Sequence, residues 1–444
     1  MPQNPSTLSG APRFAPGPFT QPAHPAHLSH RRSCRYRGKP AGLPGPQNPS
    51  TLTGAPRFAA RAKLAIAFAV AAVAAPLWGQ PPATSVVPDH PAIAAEGYVL
   101  MDADTGKILA EENGQQPLPP ASLAKIMTGY VVAVELEAGR ISLSDDVPVS
   151  VNAWETPGSR MFIREGTTVV LEDLLRGVVI QSGNDASVAL AEFVAGGEDA
   201  FADMMNQHGA LLGMSGSMFA NSTGLPHDDQ YTTARDLAVL TQQLIRRFPD
   251  HYAMYSERSF KYNGIEQPNR NRLLWRDRTV DGVKTGYTKE AGYCLVASAE
   301  RDGMRLISAV MGAESDAVRV RESQKLLSYG FRYFETHRLY GTEAPLKTSE
   351  VRYGQTQEVS MGVPEAIYVT IPRGRYQDIE ATLDIPEPME APIAAGDILG
   401  ELRVILDGET LATSPLIARE AVLELETVAR FFEGIYFFFH DLVK

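Results

Sequence analysis

Cysteine is nearly missing from this 444-residue chain, which has only Cys34 and Cys294. Two thiols cannot build a disulfide framework or a cysteine-based metal cage. Histidine is sparse too, with nine residues and no H-x-x-x-H or H-E-x-x-H pairing. No catalytic metal and no cofactor are therefore expected. Positive charge is in deficit: 41 Lys and Arg face 52 Asp and Glu, for a formal net charge of -11. A general phosphate-backbone binder needs a basic face, so nucleic acid is not an expected partner. Also missing is any apolar run of the roughly 20 residues that a membrane-spanning helix requires.

What is present begins with an odd leader. Residues 1–60 are rich in Pro, Gly, Ser and Arg without apolar periodicity and read as disordered or as a misassigned leader extension. Within them Pro2 to Ala15 recurs at Pro46 to Ala59 with a single Ser/Thr difference, too close for a diverged structural repeat. Residues 61–80 then show basic Arg61 and Lys63, an apolar run from Leu64 to Ala75, and a small-residue exit. That is the three-part pattern of a signal peptide, so the mature protein is expected outside the cytoplasm.

From residue 85 the chain reads as folded. Gly97 to Asp102 and Lys107 to Ala110 flank Asp104-Thr105-Gly106 as a hairpin. Helical spacing follows from Ser122 to about Leu136, from Leu171 to Ile180, from Ala186 to Ala195, from Glu198 to Leu212 and from Thr233 to Phe248, with Pro249 as a stop. Tyr293 to Ala299 and Arg305 to Gly312 read as a hairpin of core strands, and Val318 to Arg332 as a helix. The fold class is thus α+β, an antiparallel sheet flanked by helices, over residues 85–340. Residues 346–418 hold short alternating strands and read as a second, all-β domain of sandwich type. Residues 421–444 read as a C-terminal amphipathic helix, with Val428, Phe431, Phe432, Ile435, Phe438, Phe439 and Leu442 in one arc. It either packs on its own domain or lies on a membrane surface as an interfacial anchor; the aromatic density and exported context favour the anchor.

Chemistry concentrates at Pro120-Ala121-Ser122-Leu123-Ala124-Lys125. Three positions apart on a helix, Ser122 and Lys125 rise on one face, a nucleophile beside a base. Alone, an S-x-x-K pair is far more often a helix cap beside a solvated lysine. Two further signals follow in order, Ser182-Gly183-Asn184 between two helices and Lys284-Thr285-Gly286 in an apolar run. Together they form the set S-x-x-K, S-x-N and K-T-G of penicillin-interacting serine enzymes, with S-G-N as a variant of S-D-N.

On these motifs the chain resembles the low-molecular-mass penicillin-binding proteins that act as D-alanyl-D-alanine carboxypeptidases. The likeness extends to Gln181-Ser182-Gly183-Asn184-Asp185-Ala186, Asp281-Gly282-Val283-Lys284-Thr285-Gly286, Asn269-Arg270-Asn271 and Thr370-Ile371-Pro372-Arg373-Gly374-Arg375. It covers residues 85–444, and the β domain and tail match the membrane-attached branch. The resemblance implies that Ser122 attacks the penultimate D-alanine carbonyl of a peptidoglycan stem peptide and that Lys125 takes its proton. Burial and the charge of Lys284 would lower the pKa of Lys125. Ser182 would relay a proton to the leaving amine and Asn184 would hold a substrate amide. The backbone of Ser122 and Tyr287 would form the oxyanion hole, and the strand through Lys284, Thr285 and Gly286 would align the peptide. Thr285 as a donor and Arg319 as the cation would meet the substrate carboxylate, with Arg270 as second choice and a structural ion pair as the equal alternative for Arg270. β-Lactams are implied as inhibitors that leave a long-lived adduct, and the outer face of the cytoplasmic membrane, in the periplasm, as the location. A β-lactamase, a murein endopeptidase and a non-catalytic envelope scaffold are the competing readings.

Overall fold

The computed structural model describes residues 87–386, 388–427 and 430–435. The leader, the signal-peptide segment and residues 436–444 of the tail lie outside the described residues.

Strand alternation builds the first domain. In Gly97–Asp102, Val99 and Met101 enter one apolar cluster while Tyr98 and Leu100 enter another. In Met304–Ala313 the same split separates Ile307, Ala309 and Met311 from Leu306 and Val310. Successive side chains on a strand point to opposite faces, so a sheet apolar on both faces must be covered twice. The sheet is five-stranded and antiparallel, in the order Ile108–Glu112, Gly97–Asp102, Met304–Ala313, Gly292–Arg301, Val280–Thr288. Helix Asp316–Tyr333 covers one face through Val320, Leu326 and Leu327. Helices Ala124–Glu137 and Ala234–Arg247 cover the other through such residues as Ile126 and Leu240, and helix Asn184–Ala195 packs against the first of them in the same apolar cluster. The Lys284 strand, Val280–Thr288, is therefore an edge strand with one side unpaired.

One sequence expectation is extended here and two need correction. Pro249 does not merely stop its helix: it occupies the first position of a further short helix, Pro249–Ala253, where the missing N–H costs nothing. The β domain begins before residue 346, because strand Phe334–Tyr340 pairs with Ile367–Pro372. That pair shares one apolar cluster with a six-stranded sheet, Val369 and Ile371 meeting Val351, Val359, Leu402 and Val404. Finally, the tail helix does not start at Ala421. Val422 bridges to Ile393 and Glu424 to Gly354, so this stretch is spent as extended chain and helix appears only from Thr427. Phe431 and Phe432 are each 67% exposed on that helical segment. Among the described residues no helix is long and apolar enough to cross a membrane.

The two domains are joined by hydroxyl and carboxylate contacts at the first hairpin turn. Thr336 donates to Asp102 Oδ2 at 2.6 Å, Thr105 and Thr370 hydroxyls lie 2.8 Å apart, and Lys107 Nζ donates to the Thr370 carbonyl at 3.1 Å.

Candidate active site

Ser122 does not open an α-helix. Pro119-Pro120 stops the preceding chain, and residues Ala121–Leu123 form a 3₁₀ turn before the α-helix Ala124–Glu137. Neither segment has a side-chain cap, so the helix-cap reading of Ser122 is excluded. The solvated reading of Lys125 fails too, since that side chain is 1% exposed. Its Nζ lies 3.3 Å from Ser122 Oγ, 2.7 Å from Asn184 Oδ1 and 2.5 Å from the Thr223 carbonyl. Burial pushes the Lys125 ammonium down to about 7; Glu198 and Asp185 oppose this, while Arg270 adds to it. Arg270 is thus a like charge bearing on Lys125, in addition to the mutual repulsion with Lys284 that the sequence pointed to.

Lys284, 2% exposed, builds a second lysine–serine pair: its Nζ donates to Ser182 Oγ at 2.9 Å and to the Thr285 carbonyl at 3.0 Å. Burial holds Lys284 well below its ordinary pKa, with further repulsion from Lys125, Arg270 and Arg319. Ser182 owes its place to an unusual backbone. The helix Leu171–Arg176 loosens into a π-turn over Gly177–Gln181, and Ser182 then takes a left-handed conformation (φ 64°, ψ 35°) before helix Asn184–Ala195 begins. Such departures cluster at functional sites, where surrounding structure must over-determine them. Asp185 supplies that structure. Its buried carboxylate accepts from the backbone N–H of Met161, Phe162, Ile163 and Ala186 at 2.9 to 3.3 Å.

Asn184 is committed differently from what the sequence suggests. Its oxygen accepts from Lys125 and its amide donates to the Pro157 carbonyl at 2.6 Å, so it positions the lysine before it can hold any substrate amide. The loop Asn221-Ser222-Thr223-Gly224 is also part of the site, although it lies outside the sequence motifs. Asn221 Oδ1 accepts from Thr223 N, Thr223 Oγ1 and Gly224 N, which aims the Thr223 carbonyl at Lys125. Glu198 binds Ser222 N and Oγ at 2.9 and 2.7 Å behind it. An Asn in the run Asn-Ser-Thr-Gly is an Asx-turn signal, and it is the clue the sequence offers.

The edge strand presses on the 3₁₀ turn at Gly286. A Cβ there would stand 3.2 Å from Ala121 Cβ, Leu123 Cγ and the Pro120 carbonyl, so a side chain at Gly286 would push the edge strand and the 3₁₀ turn apart by a few tenths of an ångström. Tyr287 itself is exposed, its ring 4.3 Å from that of Tyr293. The two arginines, both candidates for the substrate carboxylate, are bonded differently. Arg319 is 7% exposed and donates to the Gly286 and Cys294 carbonyls at 2.7 and 3.1 Å and to Asp316. It braces the edge strand from behind. Arg270 is solvent-exposed, forms no ion pair among the described residues, and spends only Nε on a carbonyl, that of Gln181 at 2.9 Å. No cluster of three or more metal-ligating side chains occurs among the described residues.

Residues 84–315 match the family model described as D-alanyl-D-alanine carboxypeptidase. The chain belongs to that family. Residues 334–424 match the C-terminal domain of penicillin-binding protein 5. D-alanyl-D-alanine carboxypeptidase DacC of Escherichia coli is 44% identical over 80% of this chain and 90% of its own. Penicillin-binding protein 5 from Haemophilus influenzae superposes with a TM-score of 0.72 at 41% identity, covering 76% of this chain and all of that one. Penicillin-binding protein D2 from Listeria monocytogenes, solved in an ampicillin-bound form, is 29% identical over 55% of this chain and all of its own, with a TM-score of 0.51. The chain is accordingly a serine hydrolase with a mixed helix and sheet domain and an all-β C-terminal domain.

Proposed function

We propose that this carboxypeptidase removes the terminal D-alanine of peptidoglycan stem pentapeptides through an acyl-enzyme on Ser122. The observation that carries the reading is the Lys125 amine, buried, held by two fixed acceptors and 3.3 Å from Ser122 Oγ. In that reading Ser122 Oγ attacks the penultimate D-alanine carbonyl as Lys125 accepts its proton. Backbone N–H groups of Ser122 and Tyr287 receive the developing oxyanion, typically about 3 to 4 kcal/mol per donor. The C–N bond then breaks, and Ser182, paired with Lys284, passes a proton to the leaving amine. Water hydrolyses the ester in the second half. The unpaired side of the Lys284 strand, with Thr285 and Gly286, aligns the peptide by strand addition. Its free donors make Arg270 the better partner for the substrate carboxylate, while Arg319 sets the strand that carries Gly286.

A penicillin enters the same path because its strained amide imitates the D-alanyl-D-alanine end, and the penicilloyl-enzyme should persist. Incubating the protein with labelled penicillin and with a pentapeptide should give an adduct on Ser122 and free D-alanine. A lack of both sinks the reading, and rapid penicillin turnover favours a β-lactamase instead.

The leader pattern and the tail support an exported enzyme held at the outer face of the cytoplasmic membrane, in the periplasm. Two phenylalanines each 67% exposed on a short helix suit an interfacial anchor better than a packed helix. Removing residues 426–444 should release the exported protein into the soluble fraction. Unchanged membrane association of the truncated protein excludes the anchor.

A further inference from the structure

Ser222 is clamped between two helices. It is fully buried, and each of its polar groups has a fixed partner: Glu198 accepts from its N–H and its hydroxyl at 2.9 and 2.7 Å, and Thr128 Oγ1 donates to its carbonyl at 2.7 Å. Thr128 follows Lys125 in helix Ala124–Glu137, and Glu198 opens helix Glu198–Leu211. The next carbonyl along the chain, that of Thr223, is the one that meets Lys125 Nζ at 2.5 Å.

An acidic residue in the first turn of a helix is ordinarily explained by the helix dipole alone. Glu198 has further partners, since both its oxygens turn to Ser222. An amide would hold Ser222 equally well, because glutamine offers an acceptor to the N–H and a donor to the hydroxyl. What glutamine lacks is the charge.

The charge matters because of what surrounds Lys125. Burial and Arg270 favour loss of its proton, and the mutual repulsion with Lys284 acts in the same direction. Glu198 and Asp185 oppose this, Glu198 the more strongly of the two. Asp185 is already committed to the backbone N–H groups of Met161, Phe162, Ile163 and Ala186. Glu198 itself is raised by burial and by Glu192 on the adjoining helix Asn184–Ala195, while its Ser222 bonds and Lys125 hold it down. A lysine stripped of all opposing charge would be neutral at every working pH yet accept the Ser122 proton weakly, so the useful base is one that titrates near the operating pH.

We propose that Glu198 is a positioning residue for acylation: through Ser222 it aims the Thr223 carbonyl at Lys125, and its negative charge preserves the proton-accepting strength of that amine. Glu198 acts through Lys125 rather than on the substrate, so its role rests on the reading of Lys125 as the base.

The test is the pH profile of Ser122 acylation by labelled penicillin in the full chain, which in the wild type should rise through about pH 7. Glu198→Gln keeps both Ser222 bonds and removes the charge. Its midpoint should move about one unit toward acid, with a plateau within about tenfold of wild type. Glu198→Ala removes charge and bonds together, so the same shift should come with a plateau at least about tenfold lower. Glu198→Asp keeps the charge on a side chain one methylene shorter, which stretches the Ser222 bonds. Its plateau should fall while its midpoint stays with the wild type. Aspartate and alanine thus separate charge from bonding even if the glutamine variant does not fold. A structural brace alone would lower plateaus and move no midpoint. The proposal is overturned if the glutamine midpoint coincides with that of the wild type, or if alanine and aspartate share one midpoint. A wild-type profile with no step near pH 7 removes Lys125 as the base and takes the role of Glu198 with it, an outcome distinct from a step that every variant shares.

Discussion

Lys125→Ala is expected to unfold near the wild-type midpoint at neutral pH yet to be acylated by penicillin about 10³ times more slowly or worse. The activity loss follows from removing the one amine within reach of Ser122 Oγ. The preserved stability follows from two opposing terms. A lysine whose pKa falls from 10.5 to about 7 on folding binds more protons unfolded than folded between those values. Stability therefore rises with pH across that window, and below about pH 7 the full penalty, about 5 kcal/mol, is present. Alanine removes the penalty but strands Asn184 Oδ1 and the Thr223 carbonyl, at about 1 to 3 kcal/mol each. The terms nearly cancel, so circular dichroism melts should overlay while stopped-flow acylation does not. In the wild type the acylation rate should climb as pH passes through about 7, because only the neutral amine accepts a proton. Lys125→Arg, which never loses its charge, should be as slow as alanine. Acylation of the alanine variant within tenfold of wild type would remove Lys125 from the mechanism.

How much of this site could be read from the chain differs residue by residue. Ser122, Lys125, Ser182, Asn184 and Lys284 were legible because each sits in a short motif, and the sheet was legible because its strands alternate on both faces. The backbone states were not. A 3₁₀ turn at Ser122 and a left-handed Ser182 depend on contacts made from elsewhere, the Asp185 carboxylate binding a loop more than twenty residues upstream. The parts played by Arg319 and Arg270 were equally hidden. Sequence offers two arginines near the motifs, and only the bonds of Arg319 to two strand carbonyls show which one is spent on structure. The β-domain boundary was missed for a related reason. Strand Phe334–Tyr340 follows its helix without a break, and its partner lies about thirty residues onward.

Gly224→Ala tests the least visible of these contacts. Gly224 has φ +76°, and a Cβ there would lie 1.8 Å from the Ala121 carbonyl oxygen, 2.4 Å from its carbon and 3.1 Å from Ser122 N. Every one of those atoms is backbone, so no side chain can swing aside. Either the Thr223 carbonyl withdraws from Lys125 or the turn carrying Ser122 moves, and a displacement of about 1 Å at reacting atoms costs on the order of 10²-fold in rate. The variant should lose about 3 kcal/mol or more of stability in denaturant unfolding and acylate at least about 10²-fold more slowly. Gly213→Ala supplies the control, since Gly213 has φ +75° and nothing within 4 Å of a Cβ. It bears the same left-handed strain without the collision, so it should cost only about 1 kcal/mol and leave acylation intact. If the two variants behave alike, the dihedral accounts for the glycine and the loop does not aim Thr223 at Lys125. If they diverge as expected, the close approach of two backbones is what places the base beside its nucleophile.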